Sequence, residues 1–205
     1  MRPRSAGALL ATILLCAVSA RAQDPSERSA GELMDVLMWN REPVGGPFAL
    51  IDHHGKRRTE ADFSGKFLLI YFGFTYCPDV CPTDLQAIGL ALDQLGQAGE
   101  AVQPLFITLD PERDTPPHLA EYVSLFHPRL IGLSGDATAI RTVARQYKVY
   151  YAKVPTRDGL GYTLDHSGYI YLMDRVGRYL GFFPPGTPAE RMADVIRPQL
   201  EQLQP

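Results

Sequence analysis

Phe67-Leu-Leu-Ile-Tyr-Phe-Gly-Phe74-Thr-Tyr-Cys77-Pro-Asp-Val-Cys81-Pro82 runs from an apolar stretch straight into a pair of cysteines. Residues 67–74 have the length and unbroken apolar character of a buried central strand. Beyond the cysteines, Leu85, Ile88, Leu92 and Leu95 recur at helical spacing. The cysteines therefore stand where a strand ends and a helix begins. Helix N-termini carry unpaired N–H groups and partial positive charge, which favours thiolate over thiol. At i and i+4 both sulfurs are predicted on one side of the first helical turn, with Pro78 and Pro82 restricting the loop. Two thiols so placed form either a redox pair or two soft metal ligands. A purely structural disulfide is the weaker reading, because a bridge closing so small a loop removes little chain entropy.

Working outward, Phe48-Ala-Leu-Ile51, His53-His54-Gly55 and Arg57 to Thr59 read as an N-terminal hairpin. Residues 102–109 and 130–133 read as strands. Thr115-Pro-Pro117 opens a helix with a capping residue and Pro at its first position. Asp136 caps the helix that carries Ile140, Val143, Ala144 and Tyr147. Residues 149–154, 169–173 and 179–183 are further strands, the last two paired around Arg175-Val-Gly177. Thr187-Pro-Ala-Glu190 reads as a capping box, and Pro198 is expected to kink or shorten the final helix. Strands alternating with helices predict an α/β layering in which helices cover a sheet.

The chain has 205 residues, 45% of them hydrophobic and 21% charged, which suits one globular domain with a sizeable core. Residues 1–22 read as a signal peptide or N-terminal membrane anchor: Arg2 and Arg4 lead an uncharged run over residues 6–20, and Ala20-Arg-Ala22 fits a cleavage site. Residues 23–43 read as a linker or tether, in which Leu33-Met-Asp-Val-Leu-Met-Trp39 is a short helix or a segment packing on the body. The folded domain is predicted over residues 44–205. Without Arg2, Arg4 and Arg21, lysine plus arginine falls from 20 to 17 against 23 acidic residues, and net charge moves from −3 to −6. With no basic run in the remainder, nucleic acid is excluded as a partner. Export means an oxidising compartment, the bacterial periplasm or the periplasmic face of the inner membrane.

Cys16 lies inside the apolar leader, so Cys77 and Cys81 are the only cysteines of the mature chain. A third ligand would decide between redox and metal chemistry. His53 and His54 fall in a surface turn. His118 sits at a helix start and His127 at a helix end, where a cation suits the dipole. His166, in Thr163-Leu-Asp-His-Ser-Gly168, reads on its own as a loop residue.

Tyr-Cys77-Pro-Asp-Val-Cys81-Pro, Asp110-Pro-Glu-Arg-Asp-Thr-Pro116, Gly132-Leu-Ser-Gly135, Val149-Tyr-Tyr151 and Asp165-His166 followed by Tyr-Leu-Met-Asp174 occur in one order between Pro43 and Pro198. That set resembles the Sco/SenC family. The resemblance implies a thioredoxin-like fold, a central mixed sheet flanked by helices, and an extracytoplasmic, often membrane-tethered copper-binding role. It implies copper ligation by Cys77, Cys81 and His166. It also implies service in assembling the binuclear copper centre of cytochrome c oxidase, with the subunit bearing that centre as partner, and another copper donor or a thioredoxin-like reductant as further partners. Two thiolates and an imidazole suit Cu(I), and Cu(II) with one more ligand, while zinc accepts the same set. Asp165 is a candidate to orient the His166 ring, or it simply forms the turn.

The cysteines are three residues apart rather than the two of ordinary thioredoxins, and Asp165-His166-Ser167 stands where a thioredoxin has its proline. Both features favour metal binding over general disulfide exchange. The leading reading is thus a copper metallochaperone rather than a turnover enzyme. The alternative is a thiol-disulfide oxidoreductase acting on a copper acceptor, with Cys77 and Cys81 redox-active and Cys77 attacking. A peroxidase lacks its expected motif. Asp110 and Asp114 follow a predicted strand on the ligand side of the sheet. They are candidates for an acceptor contact, against the plainer reading that Asp114 or Thr115 caps a helix.

Overall fold

The computed structural model describes residues 28–39, 42–159 and 161–201. The predicted leader, with its apolar run over residues 6–20, lies outside them. In chain order the elements are α1 (Ala30–Trp39), β1 (Ala49–Asp52), β2 (Arg57–Thr59), β3 (Phe67–Gly73), α2 (Val80–Leu95), β4 (Val102–Thr108), α3 (Pro116–Ser124) and β5 (Ile131–Ser134). There follow α4 (Ala137–Gln146), β6 (Tyr151–Pro155), β7 (Tyr162–His166), β8 (Ile170–Met173), β9 (Tyr179–Phe183) and α5 (Ala189–Glu201). Among the described residues, no helix is long and apolar enough to cross a membrane.

The main sheet has seven strands in the order β2-β1-β5-β4-β3-β8-β9. The β3, β4 and β5 strands run parallel, and β8, β9 and the β1–β2 hairpin pair antiparallel on either side. Every residue of β3 is buried, because helices cover both faces of the sheet, and this is why its sequence is uniformly apolar. Alternation along the strand sends neighbours opposite ways. Tyr71 stacks on Phe106, which meets Tyr122 of α3. Phe72 meets Tyr147, at the end of α4, and Tyr171. Leu85, Ile88 and Leu92 of α2 and Met192 and Ile196 of α5 complete the core. This is the thioredoxin-like mixed sheet flanked by helices that the sequence leads one to expect, with the added hairpin at one edge.

Several local expectations are corrected. Residues 162–166, predicted as loop, form β7 and pair with β6 as a separate two-stranded ribbon. The helix after β3 begins at Val80, with Asp79 as N-cap, so Cys81 lies in its first turn and Cys77 in the loop before it. Thr115 occupies the N-cap of α3 but makes no side-chain cap bond. The hydroxyl of Thr187 donates to Pro184 O at 2.6 Å instead of joining a capping box with Glu190. Pro198 does not shorten α5, which continues to Glu201. The proline lies on the exposed face, where water serves the carbonyl it leaves unpaired. As expected, Asp136 caps α4, its carboxylate accepting N–H bonds from Thr138 and Ala139 at 2.8 Å. Within the expected tether, Ser29 and Glu32 form a capping box at α1. Leu33, Val36 and Leu37 of that helix are buried.

Candidate metal centre

The fold delivers three side chains to one point from three elements. Cys81 sits in the first turn of α2 and is fully buried; Cys77, in the β3–α2 loop, is half-buried. His166 ends β7, opposite Tyr151 of β6. One ligand atom from each lies within 4.8 Å of the others. Both cysteines are free thiols.

The sulfur of Cys81 has room only because position 73 is glycine. A Cβ there would stand 2.9 Å from Cys81 Sγ and 3.0 Å from the Phe106 ring. His166 is held by edge-on contacts with Phe74 and Tyr71. Its Nδ1 lies 3.1 Å from Ser167 O; on that hydrogen bond Nδ1 carries the proton and donates. Nε2 is then left with a lone pair, 3.5 Å from Cys81 Sγ. Sulfur and nitrogen donors at about 2.3 and 2.0 Å from one ion are separated by roughly 3.5 Å at a tetrahedral angle, so this pair fits a shared metal. The carbonyl of Ser167, not Asp165, fixes the ring; Asp165 is exposed.

The two thiols differ in acidity. A hydrogen bond from Cys81 holds the Cys77 thiol far below the ordinary range, against the opposing effect of burial. The Cys81 thiol is pushed up because it gives that bond to Cys77 and because it is buried. Cys77 is therefore the thiolate and Cys81 retains the proton. Under the site, Tyr71 Oη and Asp84 Oδ2 are buried without a hydrogen-bond partner among the described residues. Asp84 Oδ1 accepts the Gly186 N–H at 2.8 Å.

Of the other histidines, His53, His118 and His127 make structural contacts, and His54 is exposed. His53 Nδ1 accepts the Gly132 N–H at 3.0 Å. Nε2 of His118 lies 2.8 Å from the Thr75 hydroxyl, and its ring stacks on Tyr76. His127 is not a helix-end cation: it lies beyond α3, Nδ1 accepts the Arg129 N–H, and burial pushes its pKa down. The proposed acceptor contacts are also corrected. Asp110 is buried against Arg113 and Tyr162, and Asp114 is buried where it accepts from Thr75 and Thr108. Neither carboxylate is presented to a partner. Gly73 and Ser167 were missed. A lone glycine inside an apolar strand is the signal for close approach that could have found the first.

A thioredoxin-like sheet with two cysteines and a histidine converging at the end of its central strand defines a thiol-based metal-binding protein. A family model described as SCO1/SenC matches residues 38–201, and the chain belongs to that family. It is 46% identical over 154 residues to a SCO2 homologue of Bos taurus, named as mitochondrial, covering 74% of this chain and 58% of the relative. It is 43% identical over 161 residues to the sco1 protein of Schizosaccharomyces pombe, covering 76% and 60%. The chain thus spans about three-fifths of the length of these relatives. Among solved structures, Bradyrhizobium japonicum ScoI with copper bound superposes with a TM-score of 0.70 at 47% identity, covering 76% of this chain and 98% of that one. Yeast Sco1 with copper bound gives 0.72 at 40% identity, covering 80% and 92%.

Proposed function

We propose that the protein is a copper metallochaperone of the cell envelope, binding copper as cargo through Cys77, Cys81 and His166 and helping to assemble the binuclear copper centre of cytochrome c oxidase. The observation that carries this reading is the convergence of the three donor atoms within 4.8 Å. Relatives solved with copper bound support the choice of metal over zinc. Three protein ligands leave a coordination position open, through which an acceptor's ligand can enter before the donor's leave. Cys77, outermost and already ionised, offers the first sulfur; Cys81 gives up its proton when it ligates. Export to the periplasm, with residues 1–22 as signal or anchor, completes the reading.

The asymmetry of the thiols favours a second reading on the same residues. The Cys77 thiolate would attack a disulfide of a copper acceptor, and the acceptor's displaced sulfur would take up a proton. Cys81 would then lose its proton and close on Cys77, releasing the acceptor's second sulfur as a thiol and leaving a Cys77–Cys81 disulfide. His166 separates the two. Anaerobic titration with Cu(I) against a competing chelator should give one copper per reduced protein. The variants Cys81→Ser and His166→Ala should each weaken affinity by about 100-fold or more, since even partners that only orient a ligand are worth about 10–100-fold. Unchanged copper affinity in His166→Ala, with disulfide reduction retained, would leave the oxidoreductase reading alone.

A further inference from the structure

The proposed copper site makes no use of a groove between α1, α4 and the β6 strand, although Tyr151 on its wall pairs with His166 of β7. It is a cavity of about 270 Å³. Leu33, Ala144 and Val149 make it apolar inside, and Arg28, Arg141, Arg145, Lys148 and Lys153 line it with positive charge. In a chain of net charge −3 this gathering is local and one-sided. Glu42 serves both Arg28 and Lys148, at 2.8 and 3.0 Å. Glu112 holds Lys153 at 2.8 Å, and Arg145 has a partner of its own. Arg141 bonds the hydroxyl of Thr138, a neutral group on its own helix. Carboxylates at the groove are thus outnumbered. Burial raises the Tyr151 phenol's pKa, and Arg141, Arg145 and Lys153 all pull against it, so three of the cations converge on one wall.

An apolar cavity with a cationic lining is complementary to an anion that carries an apolar body. Arg28 lies at its edge, and the apolar run of the sequence ends at Ala20. The eight Cα-to-Cα steps between them, across seven residues, span at most about 29 Å. We propose that this groove seats the phosphate headgroup of an anionic phospholipid, with Arg141 and Lys153 supplying the charge that discriminates it from a neutral lipid. The proposal rests on the reading that residues 1–22 bring the chain to a membrane, and not on its copper chemistry.

The test is co-sedimentation of the full chain with vesicles of phosphatidylcholine alone and of phosphatidylcholine with phosphatidylglycerol. The apolar run binds both, so the preference for anionic vesicles reads the charges. Arg141→Glu and Lys153→Glu should each cut that preference by at least about fivefold, the worth of roughly one basic residue at an anionic surface. Arg191→Glu, on the exposed side of α5, should leave it within twofold, and copper uptake should persist in Arg141→Glu and Arg191→Glu, which lie outside the ribbon that carries His166. Equal loss in all three variants would mean bulk charge only, and no loss in the first two would empty the groove of this role. Displacement from anionic vesicles by millimolar inorganic phosphate, at constant ionic strength, would assign the groove to free phosphate and overturn the lipid.

Discussion

Gly73 shows how much of the site depends on a residue with no chemistry of its own. A methyl group there meets Cys81 Sγ at 2.9 Å and the rings of Phe106 and Tyr71 at 3.0 and 3.2 Å, all in a close-packed core. Gly73→Ala should therefore weaken Cu(I) binding by about tenfold or more and lower stability by about 1–3 kcal/mol, read by chelator competition and by urea unfolding. A second residue-scale expectation concerns Asp84. Burial raises its pKa, so its charged form is the unfavourable one in the folded protein. Its contribution to stability is present below the unfolded pKa, near 3.8, and is lost as pH rises through the higher folded value. Asp84→Asn keeps an oxygen for the Gly186 N–H and removes the charge. The variant should match the wild type near pH 4 and exceed it by about 1–2 kcal/mol at pH 8; a constant difference across that range would show the charge is not the cause. Neither residue stood out in the sequence, because a buried carboxylate and an exposed one are written with the same letter.

Elements were legible where burial alone sets the pattern. The uniform run of β3 and the spacing of α2 are dictated by burial, and both are where the sequence places them. The β7 strand was not legible: in Tyr162-Thr-Leu-Asp-His166 only Leu164 is buried, so no alternation strong enough to see survives in a ribbon lying mostly on the surface. The helix cap at Thr187 failed for another reason, since its hydroxyl found a nearer acceptor in Pro184 O. The α5 helix overrides its proline because Met192, Ala193, Ile196 and Leu200 are all buried, and that burial outweighs one missing N–H bond. The cost persists nonetheless. Pro198→Ala restores a donor four residues after Asp194, and should raise stability by about 1–3 kcal/mol with copper affinity unaltered.

At the scale of the whole molecule the proposed copper donors are unequally founded. Cys77 and Cys81 stand at the end of β3, in the middle of a seven-stranded sheet. His166 belongs to a ribbon of two strands outside that sheet, tied at its base by the Ser167 N–H to Tyr150 O at 3.0 Å and the Tyr150 N–H to Ser167 Oγ at 3.1 Å. Two strands alone are marginal in water, and beyond these bonds the ribbon is held through Tyr162, which meets Asp110 and Arg113, so it is expected to open locally before the sheet does. Backbone amides of β6 and β7 should therefore exchange with deuterium faster than those of β3 and β4 by a factor of about 100 or more, and copper should slow the ribbon selectively. Uniform protection across both would refute this. On the proposed copper site, opening of the ribbon would leave the ion on two protein donors in place of three. The rate at which a surface flap moves would then limit how long the cargo stays, while the seven-stranded sheet keeps its form.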